Sequence, residues 1–127
     1  MIEQLKVFDR NILAVEIIEN YTEEDLLFFK KLFEQKLEKG FTHINILIKL
    51  DELKIDKINI KTFFSDVLWT LRKFSSLGHI AVVAHSNITK MLVTLDALFF
   101  KRASEGRNER YFDISQIDEA YRFIEED

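Results

Sequence analysis

The stretch His43-Ile44-Asn45-Ile46-Leu47-Ile48-Lys49-Leu50 decides how the rest of the chain is read. Ile44, Ile46, Ile48 and Leu50 alternate with His43, Asn45, Leu47 and Lys49, which is the two-residue period of a strand with one aliphatic side. Before it, Ile2 to Phe8 also alternates, and Asn11 to Ile18 reads as its hairpin partner across the turn Asp9-Arg10-Asn11. Beyond it, Ile80-Ala81-Val82-Val83-Ala84 is a continuous apolar run, the pattern of a strand covered on both faces. A further strand is read from Arg110 to Ile114. The alternation in His43 to Leu50 and in Leu13, Val15 and Ile17 predicts one strongly apolar, helix-covered sheet face and a second face less well covered.

Helical periods fall between these strands. Thr22-Glu23-Glu24-Asp25 has the form of a capping box with acidic residues where the helix dipole favours them, and the helix should run to about Lys39 and stop at Gly40. A second helix, from about Asn59 to Ser75, carries Ile60, Phe63, Phe64, Val67, Leu68, Leu71 and Phe74 at a 3.6-residue spacing. Ser86 or Asn87 caps a third, with Ile88, Met91, Leu92, Leu95, Leu98 and Phe99 on one stripe. Ser115-Gln116-Ile117-Asp118 opens a last one with Ile117, Ala120, Tyr121 and Ile124 inward. The order ββαβαβαβα calls for an α/β fold with a mainly parallel sheet and right-handed crossovers.

Composition narrows the function classes. The 127 residues are 47% hydrophobic and 31% charged, which fits a globular chain. With 18 basic against 22 acidic residues the net charge is -4, so there is no global basic field for nucleic acid. Cysteine is absent, which excludes disulfides, thiolate nucleophiles and cysteine-ligated zinc. No apolar stretch reaches bilayer length and no export signal opens the chain, so a cytoplasmic location is expected. The glycines Gly40, Gly78 and Gly106 form no phosphate-cradling loop, and three histidines without HxH or HExxH spacing give no metal site. No cofactor and no metal are expected.

The strand Ile44-Asn45-Ile46-Leu47-Ile48 ending near Asp51, the strand His79 to Val83, and the tail from Arg110-Tyr111-Phe112-Asp113 to Ala120-Tyr121-Arg122-Phe123-Ile124 resemble the SpoIIAA-like family. That family is related in fold to STAS domains and to the lipid-binding CRAL-TRIO domain. The resemblance covers nearly the whole chain as one domain, residues 1–127. It implies a SpoIIAA-like β/α superhelix: a five-stranded mixed sheet, first strand antiparallel and the rest parallel, with four helices mainly on one face. STAS anti-sigma-factor antagonists carry a phosphorylated serine where the third strand gives way to the next helix. Here Asp51-Glu52-Leu53-Lys54-Ile55-Asp56-Lys57-Ile58-Asn59 holds no serine, and the Gly-Trp pair common there in SpoIIAA-like relatives is also missing.

In an open parallel sheet, ligands meet the carboxyl ends of the strands. The loop candidates for a ligand or partner are therefore Asp51, Asp56 and Asn59, together with His85, Ser86 and Asn87. His85 stands where a general base could act and Ser86 lies beside it, but no third group orients them, so His85 reads rather as a solvated turn residue and Ser86 or Asn87 as a helix cap. Trp69, Val93 and Phe100 fall off the core stripes of their helices and are the candidate interface of a homodimer. On the first helix Phe28 and Leu32 sit at the stripe's edge, with Leu27 further out. The leading reading is a non-enzymatic regulatory or protein-interaction domain with an unidentified protein partner. A small carrier of an apolar ligand or lipid is the alternative, and a small hydrolase resting on His85 and Ser86 is third. The missing serine predicts that no phosphorylation at the third-strand junction controls the protein: incubation with a cognate kinase and ATP should leave it unphosphorylated by mass spectrometry, and stoichiometric phosphate on a nearby residue such as Thr62 would count against this.

Overall fold

The computed structural model describes residues 1–18, 22–50, 77–85 and 109–126. Five strands form one sheet in sequential order: β1 (Ile2–Lys6), β2 (Ile12–Ile17), β3 (Ile44–Lys49), β4 (Leu77–Ala84) and β5 (Glu109–Asp113). β1 runs antiparallel to β2, with Ile2 opposite Ile17, and its register slips between Gln4 and Lys6. The other neighbours are parallel, so β2 to β5 share one carboxyl edge. This is the mixed sheet expected from the strand pattern. β4 begins three residues earlier than the apolar run suggested, because Leu77 pairs with Ile44.

Two helices are described. α1 (Glu23–Glu38) opens on the capping box expected at Thr22: the Asp25 amide donates to Thr22 Oγ1, and the Thr22 amide donates to the Asp25 carboxylate at 2.7 Å. Asp25 also accepts from the Ile2 amide at 3.0 Å, which fastens the start of β1 to the start of α1. Burial alone would raise the Asp25 pKa, but the bonds from Thr22 and the amino group of Met1 outweigh it and hold the carboxyl below its ordinary value. The helix ends at Lys39, and Gly40 follows with φ +90°, the left-handed conformation glycine adopts without strain. Near that end the Lys36 ammonium reaches back to the carbonyls of Phe8 and Arg10, bracing the β1–β2 turn against α1.

α2 (Ile117–Glu125) corrects the expected start of the last helix. The capping box lies two residues earlier, at Asp113 with Gln116, and opens a short 3-10 turn over Ile114–Gln116. Gln116 then enters α2 with no side-chain cap of its own. The shift has a physical cause: β5 ends at Asp113, whose carboxylate accepts from both the amide and the hydroxyl of Ser115 and so turns the chain at once.

The two helices lie on opposite faces. α1 places Phe29, Leu32 and Phe33 against Leu13, Val15, Ile17, Ile44, Ile46 and Ile48. Under α2, Ala120 and Ile124 join Ile12, Ala14, Leu47, Ala81, Val83 and Phe112. The second sheet face, expected to be less well covered than the first, wholly buries Leu47, Ala81 and Val83, in keeping with the two-sided covering read for Ile80 to Ala84. The second and third expected helices, including Trp69, Val93 and Phe100, lie outside the described residues.

Asn45 is the one uncharged polar side chain fully buried among the described core residues. Its Nδ2 donates to the Ile124 carbonyl at 2.8 Å and its Oδ1 accepts from the His79 amide at 2.8 Å, so one side chain joins β3, β4 and the end of α2. Arg10 Nη2 donates to the next carbonyl, Glu125, at 3.1 Å, so two of the last carbonyls of α2 have partners. Gly78 makes the Asn45 bridge fit, since a Cβ there would stand 2.1 Å from Asn45 Oδ1. Asn45→Ala should cost about 2–4 kcal/mol in urea unfolding, because two buried backbone groups lose their partner. Gly78→Ala should cost about 1–3 kcal/mol by overpacking. In the double variant the Oδ1 clash is gone, and the cycle should return a favourable coupling of at least about 0.5 kcal/mol.

Candidate functional site at the carboxyl edge

The carboxyl edge gathers chemistry from four strands. Glu16 is the last residue but one of β2 and Lys49 the last of β3, and the two stand directly opposite each other in the parallel register. Lys49 Nζ lies 3.0 Å from Glu16 Oε2, and the two side chains keep only 18% and 12% of their exposure. Such a pair must be judged together, because either charge left alone in so enclosed a place is costly. Both side chains belong to the sheet face covered by α2, and Tyr121 of α2 is close enough to feel them. Burial raises the Tyr121 phenol pKa; the Lys49 ammonium opposes that rise, while the Glu16 and Glu125 carboxylates add to it.

β4 and β5 contribute the second half of the edge. Ala84 pairs with Asp113, and His85 follows Ala84 into solvent, exposed. Ser115 donates its hydroxyl to Asp113 Oδ2 at 2.6 Å and its amide at 3.0 Å. These two bonds hold the Asp113 carboxyl below its ordinary pKa; slight desolvation opposes them, and the nearby His85 helps them. Ser115 thus spends its proton on a carboxylate that is a weak base at neutral pH, an arrangement that caps a turn rather than activates a nucleophile.

Of the residues singled out from sequence, His85 is placed at this edge, beside Asp113. Asp51, Asp56, Asn59, Ser86 and Asn87 lie outside the described residues, as do Trp69, Val93 and Phe100. Among the described residues no three His, Asp or Glu side chains gather as a metal site. No described helix is long and apolar enough to cross a membrane. The Glu16–Lys49 pair was missed by sequence reasoning although a signal existed. Glu16 is the single charge between Ile12 and Ile18, and Lys49 the single charge between Ile44 and Leu50. Opposite lone charges near the ends of two adjacent apolar strands are candidates for a cross-strand pair.

An α/β chain with one antiparallel edge strand, a sequential parallel sheet and a helix on each described face belongs to a restricted class of folds. The SpoIIAA-like family model matches residues 12–125, from the start of β2 to the last turn of α2. The chain belongs to the SpoIIAA-like family. No curated protein and no solved structure matches it.

Lys49→Met should lower stability by about 2 kcal/mol, less than the 3–5 of a fully buried pair because some solvent reaches both groups. Replacing both charges, Glu16→Leu with Lys49→Leu, should recover most of that loss in the same denaturation series. If the single substitution costs no more than the double, the pair is not held together in solution.

Proposed function

We propose that this SpoIIAA-like chain is a non-enzymatic, STAS-type regulatory domain that binds a protein partner through the carboxyl edge of its sheet and works as a homodimer. The observation that carries this reading is the family match over residues 12–125, joined to an edge where charged side chains are paired or capped rather than aligned for catalysis. The low carboxyl of Asp113 and its bond from Ser115 favour binding over hydrolysis at that edge. With no serine between Asp51 and Asn59, regulation by seryl phosphorylation at the third-strand junction is not part of the proposal. The loop candidates Asp51, Asp56, Asn59, Ser86 and Asn87 follow β3 and β4 in sequence and are proposed, with His85, as the residues that meet the partner.

A carrier of an apolar ligand, by likeness to CRAL-TRIO domains, is the second reading. Among the described residues a cavity of about 90 Å³ is lined by Val7, Phe8, Leu13 and Leu32 with Gln35 and Lys36. Native mass spectrometry of the protein purified without detergent separates the two readings. The expected spectrum shows a ligand-free species with a dimer that grows with concentration. A copurifying lipid at one per chain would replace the first reading by the second.

A further inference from the structure

The described surface carries one apolar feature at helical spacing. Glu24, Leu27, Phe28 and Lys31 stand at positions i, i+3, i+4 and i+7 of α1, and all four are exposed. Leu27 keeps 59% of its surface on the side of the helix turned away from the buried Phe29, Leu32, Phe33 and Lys36, and Phe28 keeps 38% at the flank next to Leu32. An acid before the apolar pair and a base after it give this face a direction. That direction decides what can lie on it.

A second copy packed parallel would set Glu24 against Glu24 and Lys31 against Lys31. Packed antiparallel about a two-fold axis at the level of Leu27 and Phe28, each Leu27 meets the other copy's Leu27, each Phe28 lies beside the other copy's Phe28 at the flank, and each Glu24 meets the other copy's Lys31. Moving the axis to Lys31 destroys the match, because it brings the two lysines together and sets Glu24 against Glu38. The face is thus complementary to itself when packed antiparallel in this register. Isologous contacts require this property, whereas a foreign helix would have to carry the same pattern by coincidence.

We propose that the outward face of α1 is a self-complementary docking surface on which a second copy of the chain packs antiparallel, with Leu27 and Phe28 at its centre and Glu24–Lys31 pairs at its rims. This names the surface of the homodimer in the functional reading above and rests on that part of it. The contact is small, two large apolar side chains per copy, so it belongs among weak, concentration-dependent associations.

Sedimentation velocity on the full chain, from about 1 µM to about 1 mM, tests it. Wild type should pass from monomer towards dimer across that range. Leu27→Glu should raise the dimer dissociation constant at least about tenfold, as expected for a central apolar anchor. Because Leu27 is exposed, its circular dichroism should match wild type. Glu24→Lys alone should weaken the dimer about three- to tenfold, and adding Lys31→Glu should restore it to within about twofold, since the swapped pair is complementary again. Recovery on the second charge change is the readout that general loss of folding cannot imitate. A dimer that survives Leu27→Glu and Glu24→Lys but is lost in Trp69→Glu with Phe100→Glu overturns the α1 surface and leaves the dimer standing on other residues. A wild type that stays monomeric throughout overturns the surface and the dimer together.

Discussion

The buried amide of Asn45 is the constraint on which the described architecture turns. A carboxamide with no exposed surface must satisfy both its donor and its acceptor inside the protein. Asn45 does so by giving a proton to the end of α2 and taking one from the backbone of β4. Those two bonds fix the distance between adjacent strands and dock the last helix at one height over the second sheet face. Gly78 follows from the same requirement, because the carboxamide occupies the space a Cβ would take. Apolar packing of Ala120 and Ile124 alone would bury comparable surface at several helix positions; the directional bonds select one.

The fold was legible where burial is periodic. The alternation of His43 to Leu50 and the run Ile80 to Ala84 are written by a sheet enclosed on both sides, so strand order and direction came through. Thr22 and Gly40 marked the ends of α1 because caps depend on residues within four positions of each other. Less was legible where one residue has two local uses. Ser115 looked like a cap, but its hydroxyl answers to Asp113, and the turn begins there instead. How closely the second face is covered was harder to read, since Ala14 and Ala81 are small enough to read as neutral in sequence yet let helix and sheet come close.

The carboxyl edge shows why a site of this kind is harder to read than a fold. Glu16 and Lys49 are 33 positions apart in the chain and meet only through the β2–β3 register. Tyr121 joins them from α2, which follows two more strands of the sheet in the chain. No local spacing announces such a set, whereas strand parity does once the register is known. Lys36 illustrates the same limit, because its period on α1 says core and its chemistry says surface. The carbonyls of Phe8 and Arg10 reconcile the two by receiving the ammonium inside. Burial lowers its pKa, Lys39 adds to the effect and Asp9 opposes it, so this bracket is built around a cation held where cations are disfavoured.

The slipped register of β1 bears on a different property of the chain. β1 is an outer strand of the sheet, and an outer strand with a straight row of free amides and carbonyls is a template on which other chains can add. Between Gln4 and Lys6 that row is broken, and the exposed Glu3 and Lys6 place charge of both signs along it. An arriving strand would have to match the irregularity and desolvate those charges. Addition of a further strand from this side is thereby disfavoured by the backbone itself, at one of the two margins of the sheet.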